Sequence, residues 1–231
     1  MIVEEVRLWS VDLDDEGVGR ELDLIPLGAD ELQREQRFIH ARDARRFRRR
    51  RAFRRVILGD LLGMNAGELE FAHGPFGKPV LSGAAGVLHF SATHSAGHTW
   101  LAVGRVGPVG LDVELEVPLL PELPGLITQL APAEQSALQC VVEGERGIAF
   151  LDVWTRKEAV LKAAGTGLRR DLNSFVVPVG ALPLGEWVDL GSGTSRWWVQ
   201  DLQLGPEFHG ALACGAPCRV ARHEDPIDRP F

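Results

Sequence analysis

The chain has 231 residues, enough for one large domain or two small ones with a real core, and its net charge of −7 excludes polyanion binding through overall charge. The start MIVEEVRLW lacks the basic residues and apolar run of a secretion signal, and no stretch nears the roughly 18 apolar residues of a membrane helix. Three cysteines, Cys140, Cys214 and Cys218, are too few and too odd in number for a disulfide framework, so a reduced, cytoplasmic protein is expected.

Residues 3–13 alternate as a strand, with Val6, Leu8 and Ser10 on one side and Arg7, Trp9 and Val11 on the other. Ala29 to Leu62 favours helix, with Asp43 as N-cap of its second part. There Phe53, Ile57 and Leu61 recur at i, i+4 and i+8 and form a buried stripe. From Arg42 to Arg55 the chain reads RDARRFRRRRAFRR, with Asp43 the sole acid. A local basic face on an acidic protein suits a phosphorylated small molecule, an acidic protein patch or nucleic acid. Arginines spread around a helix point several ways, so they cannot all meet one ligand.

Asn65–Glu68 reads as a short capped turn, Leu69–Ala72 as strand-like, and GPFGKPVL (74–81) as turns demanded by Gly and Pro. Val87–His94, Thr99–Val106 and Val109–Leu115 read as three strands, followed by a proline-rich connector at 117–125. Pro132–Val142 and Gly147–Ala164 read as helices. In the second, Ile148, Leu151, Trp154, Glu158 and Leu161 share a face, and Gly165 and Gly167 stop the helix. Phe175–Val179, Trp197–Leu204 and His209–Gly215 are short strand candidates. Both halves run from helix to strands, and HTWLAVGRV is echoed faintly by HGALACGAP. The expected fold class is therefore α+β: two similar α/β subdomains related by a pseudo-two-fold, residues 1–108 and 109–231.

In VGLDVELE (109–116), Val109, Leu111, Val113 and Leu115 share one strand face, while Asp112 and Glu114 lie side by side on the other. Two carboxylates that close repel unless a cation, a proton or water relieves them. Alone, the pair is explained by a polar strand face. Glu158 adds weight because it falls on the apolar face of its helix, where a carboxylate is costly unless paired or metal-bound. Lys162, one turn on, could pair with it for about 0.2–0.5 kcal/mol, which leaves the burial of Glu158 unexplained. If Glu158 approaches Asp112 and Glu114, three hard oxygen donors converge, a set that suits Mg²⁺ better than zinc. Lys157 and Lys162 would then serve phosphate, and no covalent nucleophile would be needed.

At this point the chain resembles the Sfp-type 4′-phosphopantetheinyl transferases. The resemblance rests on FGKPVL (76–81) followed by HFSATHS (89–95), on VGLDVE (109–114) and on WTRKEAVLKAAGTGL (154–168), in the family's order and spacing. It runs from about residue 29 to 175, with HGALACGAP similar to the family's closing strand. The resemblance implies transfer of the 4′-phosphopantetheine arm of coenzyme A to a serine of an acyl, peptidyl or aryl carrier protein, leaving adenosine 3′,5′-bisphosphate. It implies Mg²⁺ on Asp112, Glu114 and Glu158, with Glu158 also the general base and Lys162 neutralising phosphate charge. It implies that Lys78, Thr93 and His94 hold the nucleotide end, His94 the 3′-phosphate, with Arg46 and Arg34 near the adenylate. Glu134 matches an acid that some members place near the metal. The family's Asn-Ile/Leu-Ser-His-Ser stands here as Ser91-Ala92-Thr93-His94-Ser95.

The expected partners are coenzyme A and an acidic carrier protein, without nucleic acid or membrane, and a monomer with pseudo-dimeric halves. Two rivals are a nucleic-acid-binding module built on Arg42–Arg55 and a non-catalytic relative that binds coenzyme A. The first gives the acidic trio no role; the intact Asp112, Glu114, Glu158 and Lys162 argue against the second.

Overall fold

The structure is a computed structural model, and it describes residues 4–74, 76–83, 87–105, 107–116, 122–167, 170–182, 184–191 and 196–223. In chain order the first half holds β1 (Glu4–Asp12), α1 (Glu16–Asp23), α2 (Ala29–Glu35), α3 (Ala41–Leu62), β2 (Phe71–His73), β3 (Pro79–Leu81), β4 (His89–Ser95) and β5 (His98–Gly104). The second holds β6 (Val109–Leu115), α4 (Leu123–Ile127), α5 (Pro132–Cys140), α6 (Arg146–Ala164), β7 (Glu186–Asp189), β8 (Arg196–Asp201), β9 (Phe208–Cys214) and β10 (Cys218–His223).

The α+β expectation holds. Two four-stranded sheets have the orders β10-β1-β5-β4 and β6-β9-β8-β7, and β2-β3 form a separate ribbon. The chain leaves the first sheet between β5 and β6, and β10 returns to it by pairing in parallel with β1. Side-chain alternation explains the layering. On β1 and β5, Trp9, Val11, Leu101 and Val103 pack with Phe53, Ile57 and Leu58 of α3. The intervening Val6, Leu8, Trp100 and Ala102 pack with Val109, Leu111 and Val113 of β6 and Leu212 of β9. Beyond the second sheet, Ala211, Ala213 and Val199 pack on Ala159 and Val160 of α6. Helix α6 is therefore buried nearly all round, and β6 presents its apolar residues to one layer and its acids to the other.

The approach of β6 to α6 depends on Gly110. A Cβ there would stand 1.9 Å from the Ala159 carbonyl oxygen and 2.4 Å from the Ala163 nitrogen, both backbone atoms. Gly110→Ala is expected to cost at least the ~1–3 kcal/mol of ordinary overpacking in urea unfolding. An unchanged midpoint would show that the two elements can part without cost.

Several predicted elements shift. The long helix from Ala29 to Leu62 breaks after Glu35, and α3 begins at His40 in extended backbone, so His40 and not Asp43 is its N-cap. The break lets Phe38 fold back on Phe47, with ring centroids 5.2 Å apart. Phe175–Val179 is not a strand, because its backbone groups are taken by side chains. The Phe175 and Pro178 carbonyls accept from Lys157 and Arg156, and the Val177 N–H goes to Glu134. Helix α1 was not expected, although Asp15 signals it by accepting from the Gly17 and Val18 N–H groups. Short, half-polar β7 and β10 were also not expected. Of the predicted segments, Val3, Pro75, Val106, residues 117–121 and Leu168 lie outside the described residues. No helix among the described residues is long and apolar enough to cross a membrane.

Candidate active site

The two sheets meet where β4 runs beside β6, and hydroxyl groups join them. Alternation on β4 turns Ser91, Thr93 and Ser95 toward β6. The Leu111 and Leu115 N–H groups donate to Ser91 Oγ and Ser95 Oγ, each at 3.0 Å. Thr93 Oγ1 donates to Asp112 Oδ1 at 3.1 Å, and Ser95 Oγ to Glu114 Oε2 at 2.9 Å.

Along this seam opens a cavity of about 480 Å³. Asp112 and Glu114 of β6 and Glu158 and Lys162 of α6 line it, together with Thr93 and His94 of β4 and Arg34, Arg50, Arg51 and Arg54. The expected approach of Glu158 to the two strand carboxylates is thus present. The helix-internal Glu158–Lys162 pair is not formed; Lys162 Nζ reaches Asp112 Oδ1 instead, at 2.6 Å, with Thr93 Oγ1 at 3.3 Å.

The acids are electrostatically crowded. Burial raises the pKa values of Glu114 and Glu158 above the usual carboxylate range, and Asp112 raises both further. Asp112 Oδ2 is buried without a hydrogen-bond partner. An orphaned carboxylate oxygen beside two further carboxylates fits a hard divalent cation such as Mg²⁺. Among the described residues no group of three His, Cys, Asp or Glu side chains is placed closely enough to hold a metal ion.

The cations complement them. Arg50 and Arg54 have buried Nε atoms without partners. Burial and neighbouring arginines pull their pKa values down to about 10 and about 9, so both stay charged at neutral pH. Three guanidinium groups, of Arg34, Arg50 and Arg51, lie 5.8, 5.8 and 4.9 Å from the Phe47 ring centre. Such a cluster of like charges calls for an anion. Sequence reading missed Arg50, Arg51 and Arg54 as a set, although their spacing places Phe47, Arg50, Arg51 and Arg54 on one helix stripe.

A second cavity of about 300 Å³ shares Arg51, Arg54, Ala92 and Lys162 with the first and is lined also by Phe76, Gly77, Lys78 and Phe90. Lys78, expected to hold nucleotide phosphate, stands in this wall and donates to the carbonyls of Val109 (2.8 Å) and Lys162 (2.7 Å). Burial and the charge of Lys162 lower its pKa to about 8.

Two expected residues are elsewhere. Arg46 is bound to Asp14 and the Ala96 carbonyl, away from both cavities. Lys157 is the clearer correction: its side chain is 0% exposed and pairs with Glu134 at 2.8 Å, likewise 0% exposed. It also donates to the Leu172 and Phe175 carbonyls. Lys157 therefore serves the second core and not phosphate, and Glu134 is its counter-ion and not a companion of the metal-site acids.

Similarity to known proteins agrees with this site. Residues 108–201 match the family model described as the 4′-phosphopantetheinyl transferase superfamily. The chain is 32% identical over 173 residues to the 4′-phosphopantetheinyl transferase HetI of a Nostoc species, covering 74% of this chain and 73% of HetI. The chain belongs to the 4′-phosphopantetheinyl transferase superfamily. It is also 27% identical over 207 residues to the transferase Sfp of Bacillus subtilis, covering 83% of this chain and 89% of Sfp. A putative transferase of a Synechocystis species is 29% identical over 179 residues, 77% of this chain and 72% of its own. In this transferase most of the arginine tract is spent internally. Arg48 pairs with Glu35, Arg49 with Asp23, and Arg54 and Arg55 with Glu31. The nucleic-acid-binding alternative is accordingly unsupported, and so is that of a non-catalytic relative.

Proposed function

We propose that the protein moves the 4′-phosphopantetheine arm of coenzyme A onto a serine of an apo carrier protein, giving holo-carrier and adenosine 3′,5′-bisphosphate. The observation that carries this is one cavity that combines crowded carboxylates with arginines whose buried Nε atoms lack partners. A nucleotide pyrophosphate with a metal ion satisfies both at once.

In this reading Asp112, Glu114 and Glu158 would hold Mg²⁺. When bound, such an ion would supply charge neutralisation for the leaving group. Glu158 takes the proton from the carrier serine hydroxyl. Lys162 faces the phosphate being transferred. Thr93 keeps Asp112 and Lys162 in place, and His94 with Arg34, Arg50 and Arg54 takes the 3′-phosphate. Lys78 closes the second cavity, which receives the rest of the nucleotide. The exposed Arg37, Arg42 and Arg45 offer an acidic carrier a docking face.

The same proposal includes a pseudo-two-fold between the halves and a monomer working in the cytoplasm. The sheet orders support the symmetry. In chain order β1, α3, β4 and β5 correspond to β6, α6, β8 and β9, and the sheet orders β1-β5-β4 and β6-β9-β8 match, with α3 and α6 on the outer faces. The test is to incubate the protein with coenzyme A and a panel of apo-carriers, with Mg²⁺ or with EDTA, and to weigh the carriers. The phosphopantetheine mass is expected with Mg²⁺ and not with EDTA. A panel that never gains it would sink the proposal.

A further inference from the structure

We infer that Ser95 is a positioning residue that aims the Glu114 carboxylate into the metal site, tying metal affinity to the seam between the two sheets. The inference rests on the metal reading of Asp112, Glu114 and Glu158.

A serine hydroxyl has one proton to give and lone pairs to receive with. The Leu115 N–H donates to Ser95 Oγ at 3.0 Å, which fixes the oxygen on the backbone of β6. The Ser95 proton then goes to Glu114 Oε2 at 2.9 Å. Its donor is anchored on the residue that follows Glu114 itself, so Oε2 is held and the rotation of the carboxylate is set. Oε1 is left for the cavity that Glu114 lines. Nothing on α6 bonds to Glu114 among the hydrogen bonds and ion pairs of the described residues. Its direction is thus decided by the first half of the chain, from the opposite sheet. Hydrogen-bond partners of ligating carboxylates commonly carry 10–100-fold of metal affinity.

Ser91 supplies the internal comparison. It makes the same bond to β6, receiving the Leu111 N–H at 3.0 Å, but donates to no carboxylate among the described residues. A purely structural role for the hydroxyls predicts like effects for both serines; a positioning role separates them.

The experiment measures Mn²⁺ binding to the full-length protein with coenzyme A present, by electron paramagnetic resonance, beside thermal melting. Ser95→Ala is expected to raise the half-saturating Mn²⁺ concentration about tenfold or more. Ser91→Ala is expected to lower the melting temperature while leaving that concentration unchanged. Ser95→Thr, which keeps the hydroxyl, should recover most of the affinity. Combined with Glu114→Gln, Ser95→Ala should add little further loss, because both act through one group. Equal Mn²⁺ binding by Ser95→Ala and the unaltered protein would overturn the inference, as would an equal loss in Ser91→Ala. If the unaltered protein itself binds no Mn²⁺, the metal reading falls and takes this inference with it, a result distinct from the other two.

Discussion

Glu158→Gln is expected to lower the rate of carrier modification by about 10³-fold or more while changing coenzyme A affinity by less than about tenfold. A positioned general base contributes about 10²–10⁴-fold, and the substitution also removes a charged metal ligand. Affinity for coenzyme A rests on a different set of groups. Arg34, Arg50, Arg54 and His94 line the same cavity and keep their charge or hydrogen bonds in the variant. The measurement pairs single-turnover transfer, read by carrier mass, with equilibrium binding of coenzyme A. Unchanged transfer would remove Glu158 from both roles, and a parallel loss of binding would make it a ligand contact alone.

Lys157→Met is expected to destabilise the fold by about 3–5 kcal/mol, the cost of leaving a buried partner charged and unpaired. That partner is Glu134, which also receives the Ala131 and Val177 N–H groups at 2.9 and 2.7 Å. Replacing both residues by apolar ones would orphan those donors. The double variant Lys157→Met/Glu134→Gln keeps an acceptor and removes the charge, and should recover part of the loss in urea unfolding. In the folded fraction, the apparent affinity for coenzyme A should match that of the unaltered protein. A weakened affinity with full stability would instead return Lys157 to the phosphate site.

Much of the site was legible because strand alternation is rigid. Once 109–115 reads as a strand, Asp112 and Glu114 must share a face, and the structure turns that face to α6. The face shared by Trp154, Glu158 and Leu161 was readable too, but it is only half-buried at Trp154 and Glu158 and exposed at Ile148. The arginine tract was not, because every arginine has the same local preference and only the partners differ. Asp23, Glu31 and Glu35 claim four of them from helices that periodicity merged or left out. The role of Ser95 was likewise invisible, since it depends on the register of β4 beside a strand of another sheet.

The sequence by itself determined which chemistry is present and which carboxylates share a face, because those follow from periods of 2.0 and 3.6 residues. Only the tertiary structure decided which cations serve that chemistry. Lys157 and Lys162 are five residues apart, about 140° around the helix at 100° per residue. One therefore enters the core against Glu134, and the other reaches Asp112 across the seam. Direction around a helix is local, but what waits in that direction is set by elements far away in the chain.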